Sequence, residues 1–139
     1  MLSRIIREIK EVDGSDPYWQ RHSFQHRCRQ WILRCFTEEI ADDSVERNYR
    51  FFEEATELVQ SLGMSAVECH RLVEYVYSRP IGDPQQESGG VSVTHAVLCC
   101  ANGIDQAHEA EVELRRILQP EIMEKIRKKQ AAKPRFLGR

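Results

Sequence analysis

The stretch RNYRFFEEATELVQSLG, from Arg47 to Gly63, decides the fold. At roughly 100° per residue, Val45, Tyr49, Phe51, Phe52, Ala55, Leu58, Val59 and Leu62 fall on one broad apolar arc. Glu53, Glu54 and Glu57 gather on the opposite flank, with Arg50 among them. Glu53 and Glu57 stand one turn apart, a like-charge spacing that weakens an isolated helix by about 0.2–0.5 kcal/mol. No Lys or Arg lies four residues after any of the three acids, although Glu46 precedes Arg50 at the favourable spacing. A solvated helix face is the commoner meaning of such a group. Its chemical alternative is a divalent cation, because hard cations such as Mg²⁺ take one or two carboxylates together with phosphate and water. Asn48 falls within the apolar arc, between Ala55 and Val59, where a buried amide must find a backbone partner or a ligand.

Outward from this helix, length and composition set limits. A chain of 139 residues is expected to form one domain with a real core, over 1–130, with an appendage helix and loop at 1–17 and a frayed basic tail at 131–139. Twenty Lys and Arg face 22 Asp and Glu, so the molecule carries no polyanion-binding signature and nucleic acid is not an expected partner. No apolar run approaches a membrane span, and MLSRIIREIKEV lacks the apolar core of a signal peptide. Cys28, Cys35, Cys69, Cys99 and Cys100 lie inside helical patterns without zinc-ligand spacing, and read as reduced core residues of a cytoplasmic protein.

In chain order, Leu2, Ile5, Ile6, Ile9 and Val12 form one helical stripe, interrupted by Asp13-Gly14-Ser15-Asp16-Pro17. The stripe suits docking or dimer contact. A second helix runs from about Tyr18 or Gln20 to Phe36, turning Trp19, Phe24, Trp31, Ile32 and Cys35 toward a core. His22 and His26 on it have the spacing of two metal ligands but no acidic companion, which favours a solvated or satisfied pair. Capping boxes at Asp43–Glu46 and Ser65–Glu68 open the central helix and a third one to about Ser78, and Gly63 closes the central helix. Asp83 with Pro84 opens a fourth helix to about Asn102, apolar almost all round beyond Glu87 and so expected to be the buried member of a bundle. Asp105 caps a fifth helix to about Leu118, and Pro120 begins a last one to roughly Gln130. The fold class is all-α, an antiparallel helical bundle.

Glu87 is the only acid between Pro84 and Asp105, in the first turn of that fourth helix. A first-turn Glu is favoured by the helix dipole alone. Gly89 and Gly90 follow, each costing about 1 kcal/mol relative to Ala inside a helix. The doublet implies close approach of a backbone or ligand, or a kink.

FFEEATELVQ followed by a capped helix, and then QESGGVSVTHAVLCCANGID, resembles the MazG-like all-α nucleoside triphosphate pyrophosphohydrolase superfamily, in the short form found in phages and prophages. The family pattern is EExxE in one helix and ExxD in a later one. Glu53, Glu54 and Glu57 match the first motif completely, Glu87 matches the first acid of the second, and Gly90 stands where its Asp is expected. The similarity spans roughly Arg27 to Lys129, with the first twenty residues outside it.

The resemblance implies a homodimer or homotetramer with the site between the two motif helices. It also implies hydrolysis of a nucleoside triphosphate to the monophosphate and pyrophosphate, with Mg²⁺ or Mn²⁺ as cofactor. By position, Glu54, Glu57 and Glu87 would be metal ligands, and Glu53 a ligand or the base that orients water. Loss of the Asp at Gly90 leaves a water, Thr94 one turn along, or Asp105 as substitutes. Asp105 lies about 27 Å from Glu87 along a straight helix, so it would need a neighbouring subunit or a bend. Arg47, Arg50, Lys125 and Lys128, with Arg127 and Lys129, are the candidate phosphate-binding cations; Asn48 with Trp31, Tyr49 or Tyr75 would receive a base. Two other classes stay open: a nucleotide binder without turnover, and a helical interaction protein whose acids are only surface.

Overall fold

A computed structural model describes residues 19–133. The N-terminal stripe and the end of the basic tail lie outside them. Every element within these bounds is helical: a 3₁₀ turn at Trp19–Arg21, then α1 (Phe24–Cys35), α2 (Glu38–Asp42), α3 (Ser44–Ser61), α4 (Ala66–Tyr77), α5 (Pro84–Ala101), α6 (Gln106–Ile117) and α7 (Pro120–Ala132). The all-α class expected from the periodicity is present.

The boundaries follow local chemistry. Ser23, whose side chain accepts from His26 N, starts α1 afresh and separates it from the 3₁₀ turn, so the single helix expected from Tyr18 or Gln20 is two elements. Helix α2 has no counterpart in the sequence reading; five residues are too few for a periodic signal. Asp43 accepts from Val45 N and Glu46 N and opens α3, and Ser65 makes a full capping box with Glu68 at α4. Asp83 caps α5 with Pro84 in the first turn. Gly63 and Gly103 take φ of 94° and 65° as the residues that end α3 and α5. In both places the following amide bonds back, Met64 N to Val59 O and Ile104 N to Cys99 O, each at 3.0 Å.

The described residues separate into two units. One joins the residues before Asp43 to those from Ala107 onward and contains α1, α2, α7 and nearly all of α6. Its core is Trp19, Leu114 and Leu118, with Cys28, Trp31 and Ile117 packed against them. Polar groups reinforce it. Arg27, only 6% exposed, grips Glu111 through both terminal nitrogens, one at 2.7 Å, and its Nε donates to His22 O at 3.2 Å. Trp31 Nε1 donates to Ile117 O at 2.9 Å, tying α1 to α6. Arg127 of α7 caps the end of α1, donating to Cys35 O at 2.7 Å and to Arg34 O at 3.0 Å. Arg29 pairs with Asp42 across the α1–α2 corner. Phe24, expected in the core, is 41% exposed, with the Arg27 guanidinium 5.6 Å from its ring centroid.

The second unit is residues 43–106, holding α3, α4 and α5. Here the burial differs from expectation. Neither α3 nor α4 contains a buried residue, and α5 contributes Cys99 alone. The apolar character of α5 does not bury it: Val91, Val93 and Val97 are exposed, because a helix can be enclosed only where another element reaches it. All five cysteines are free thiols; Cys35 and Cys99 are buried and Cys28 and Cys69 partly so, whereas Cys100 is exposed rather than a core residue. Burial pushes the Cys28 and Cys35 thiols up.

Candidate functional site

Helix α3 presents its acids on one flank, and the structure draws two arginines into them. Arg50 sits between two carboxylates: Glu46 Oε1 lies 3.0 Å from its Nε, and Glu53 pairs with its Nη1. Glu46 Oε1 is also 3.8 Å from Arg47 Nη2. These are the pairings that i,i+3 and i,i+4 spacing favours on a helix. Three nitrogens here, Nε and Nη2 of Arg47 and Nε of Arg50, are shielded from solvent without a hydrogen-bond partner among the described residues. For Arg50 Nε the distance to Glu46 is right and the alignment is not, so the attraction is between charges. Shielded donors without acceptors favour an incoming anion.

Of the motif acids, Glu53 is therefore engaged by Arg50, while Glu54 and Glu57 are exposed and form no ion pair among the described residues. Asn48 is also exposed, not enclosed as its place on the apolar arc suggested; the arc itself is open, with Phe51 and Phe52 each 58% exposed. Tyr49 and Tyr75 stand exposed, Tyr75 under the Arg79 guanidinium at 4.7 Å. Trp31 is spent in the core of the other unit through its bond to Ile117.

Glu87 is exposed at the start of α5, and its side chain folds back over Gly82. A Cβ at Gly82 would come within 3.0 Å of Glu87 Cδ and closer still to Oε1. Gly82 thus leaves the space that the Glu87 carboxyl group occupies, a placement the sequence reading did not include. The signal was available in IGDP, a glycine directly before the capping Asp83. The Gly89–Gly90 doublet behaves otherwise. A Cβ at either glycine would meet nothing within 4 Å, so among the described residues no backbone crosses close to the doublet. Thr94 donates its hydroxyl to Gly90 O at 2.9 Å, which satisfies the local backbone. Asp105 is exposed just ahead of α6, and Gln106 beside it bonds His95 at 2.8 Å.

Lys125 and Lys128 belong to α7 in the other unit, where Lys128 lies 3.6 Å from Glu124. His22 and His26 stack at 4.6 Å, and Gln30 reaches His26 at 2.8 Å, a satisfied pair. The described residues contain no group of three or more His, Cys, Asp or Glu able to hold a metal ion. The donor set on α3 has the right chemistry for a hard cation: Glu54 and Glu57 offer two carboxylates within one turn, the number Mg²⁺ accepts when phosphate supplies further oxygens. Glu87 is not gathered with them in a three-ligand group. No family model, curated protein or solved structure matches this chain.

Proposed function

We propose that the chain is a metal-dependent nucleoside triphosphate pyrophosphohydrolase, cleaving a (d)NTP to the (d)NMP and pyrophosphate and working as a homodimer or homotetramer. The observation that carries this reading is the composition of one face of α3. Glu54 and Glu57 are left without ion pairs beside arginines whose shielded donors lack acceptors. Carboxylates ready for a cation next to guanidinium groups ready for an anion are what a metal–triphosphate complex needs. A bound Mg²⁺ would polarise the phosphate and acidify a water. The chain's own residues do the remaining work. Glu54 and Glu57 hold the cation, and Arg47 and Arg50 bind phosphate oxygens. Glu53, released from Arg50 by the incoming phosphate, orients the water. Glu87 joins the ligand set from α5.

The test is a panel of NTPs and dNTPs with Mg²⁺ or Mn²⁺, read as pyrophosphate. Pyrophosphate with at least one nucleotide is expected, and its absence across the panel refutes the activity. A second reading has its own support: Gly90 takes the place of an expected acid, which favours a nucleotide binder without turnover. Nucleotide-dependent thermal stabilisation without pyrophosphate would establish it.

A further inference from the structure

Lysine is unevenly used in this chain. Four of its five lysines, Lys125, Lys128, Lys129 and Lys133, fall within nine residues of α7 and its C-cap; the cations elsewhere, Lys10 apart, are arginines. From Lys125 to Arg139 there are seven Lys and Arg and no Asp or Glu. Residues 43–106 have the opposite balance, four Arg against ten acids, so the near-neutral total conceals a strongly basic segment. Ionic screening acts over about 10 Å at ~0.1 M salt, so a bound polyanion responds to the local charge and not to the total. The helix dipole favours a cation in the last turn, which accounts for Lys129 but not for Lys125 or for the missing acids.

The structure separates these cations by task. Four arginines of the unit that holds α7 are engaged: Arg27 with Glu111, Arg29 with Asp42, Arg116 with Glu113, and Arg127 with the carbonyls of Arg34 and Cys35. Lys125 and Lys129 are exposed and form no ion pair among the described residues. Lys128, its side chain 77% exposed, stands 3.6 Å from Glu124, a solvated pair that contributes little and exchanges readily. Spacings of three and four residues set Lys125, Lys128 and Lys129 on one face of α7. The other face is taken: Met123 is buried, Ile122 and Ile126 are half-buried, and Arg127 ties the helix to α1. Helix α7 therefore keeps no apolar face with which to lie in a membrane surface.

We infer that this lysine face of α7 binds the phosphate backbone of duplex nucleic acid without regard to sequence. Lysine is a compact point charge that meets phosphate from any direction, whereas recognition of a particular base or carboxylate uses the planar fork of arginine. Helix α7 carries no aromatic side chain on which an unpaired base could stack, which disfavours single strands. A duplex presents one charge about every 1.7 Å along its axis, so lysines ~6 Å apart along the helix meet phosphate at any register. This reading does not depend on the proposed hydrolysis, whose residues lie in the other unit.

The test is fluorescence anisotropy, with full-length protein titrated into labelled duplex DNA at salt from about 50 to about 200 mM. We expect a Kd of about 10⁻⁴–10⁻⁶ M near physiological salt, the same for two unrelated sequences. The slope of log K against log salt should be about −3, from three lysines at ~0.9 each. Lys125→Gln and Lys129→Gln should each reduce that slope by about 0.9 and weaken binding about eightfold at ~0.1 M salt. Glu124→Gln removes the acid beside Lys128 and should tighten binding severalfold, an effect that misfolding cannot imitate. Emission of Trp19 and Trp31, both in the core of this unit, checks that each variant is folded. Absence of binding at about 50 mM salt, a slope near zero, wild-type binding by both folded lysine variants, or weaker binding by Glu124→Gln overturns the inference. So does binding to polyglutamate, or to vesicles of anionic lipid, as tight as to the duplex, which would make the partner an acidic protein or a membrane.

Discussion

The Arg27–Glu111 pair permits a quantitative expectation. Arg27→Met keeps the apolar stem against the core and removes two charge-assisted hydrogen bonds to Glu111 and one bond to His22 O. Arg27 is buried but the Glu111 side chain is 40% exposed, so the released carboxylate regains water and the loss falls below that of a fully buried pair. A bidentate, half-screened pair should be worth about 2 kcal/mol. For a cooperative unit of this size that corresponds to a fall in Tm of roughly 8–16 °C, followed by tryptophan fluorescence. The pH dependence has a defined sign. The Arg27 hydrogen bonds hold the Glu111 carboxyl below its usual range, opposed by a smaller desolvation effect. The unfolded chain therefore takes up this proton first as pH falls. The contribution is complete above the unfolded carboxyl pKa of about 4.3 and disappears as pH drops through the lower folded value. Glu111→Gln should lose stability at neutral pH and flatten this part of the acid limb. A Tm within about 2 °C of wild type for Arg27→Met, or an acid limb unchanged in Glu111→Gln, would refute the argument.

Three further expectations concern the candidate site. Glu57→Gln should abolish pyrophosphate release with helix content retained, since Glu57 is exposed and forms no ion pair among the described residues; wild-type turnover removes it from the site. Gly82→Ala should push the Glu87 carboxylate off its present position and lower Mg²⁺-dependent activity several-fold, with Tm little changed because the displaced group is the end of a flexible side chain; unaltered activity separates Glu87's placement from function. Gly90→Asp meets open space and replaces a helix-interior glycine, so it should not lower Tm, and titration calorimetry should find tighter Mg²⁺ binding; a destabilised variant would show that a neighbour approaches Gly90 in the assembled protein.

Helix identity and ends were legible in the sequence because they are local. The side chains of Asp43, Ser65 and Asp83 bond amides two or three residues away, and Gly63 and Gly103 supply the left-handed conformation that ends α3 and α5. The Glu46–Arg50 pairing was equally visible, being one helical turn. The break at Ser23 and the short α2 were not, since neither disturbs an amphipathic pattern long enough to notice.

Burial was decided elsewhere. A helical wheel ranks the sides of α3 and α5 by polarity but does not say what comes to meet them, so Asn48, Phe52 and Val97 were expected inside and stand outside. The partner of Arg27 lies 84 residues away, and the contact of Trp31 with Ile117 86 residues away, separations over which no periodicity carries information. Gly82 and Glu87 are near neighbours, but only the turn before α5 brings one beneath the other. The sequence by itself determined the helices, their caps and the order of the acids along them, because each depends on bonds within a turn or two. Tertiary structure alone decided which unit has a core, which apolar faces stay open and which carboxylates keep their charge unpaired, because these depend on what distant segments bring into contact.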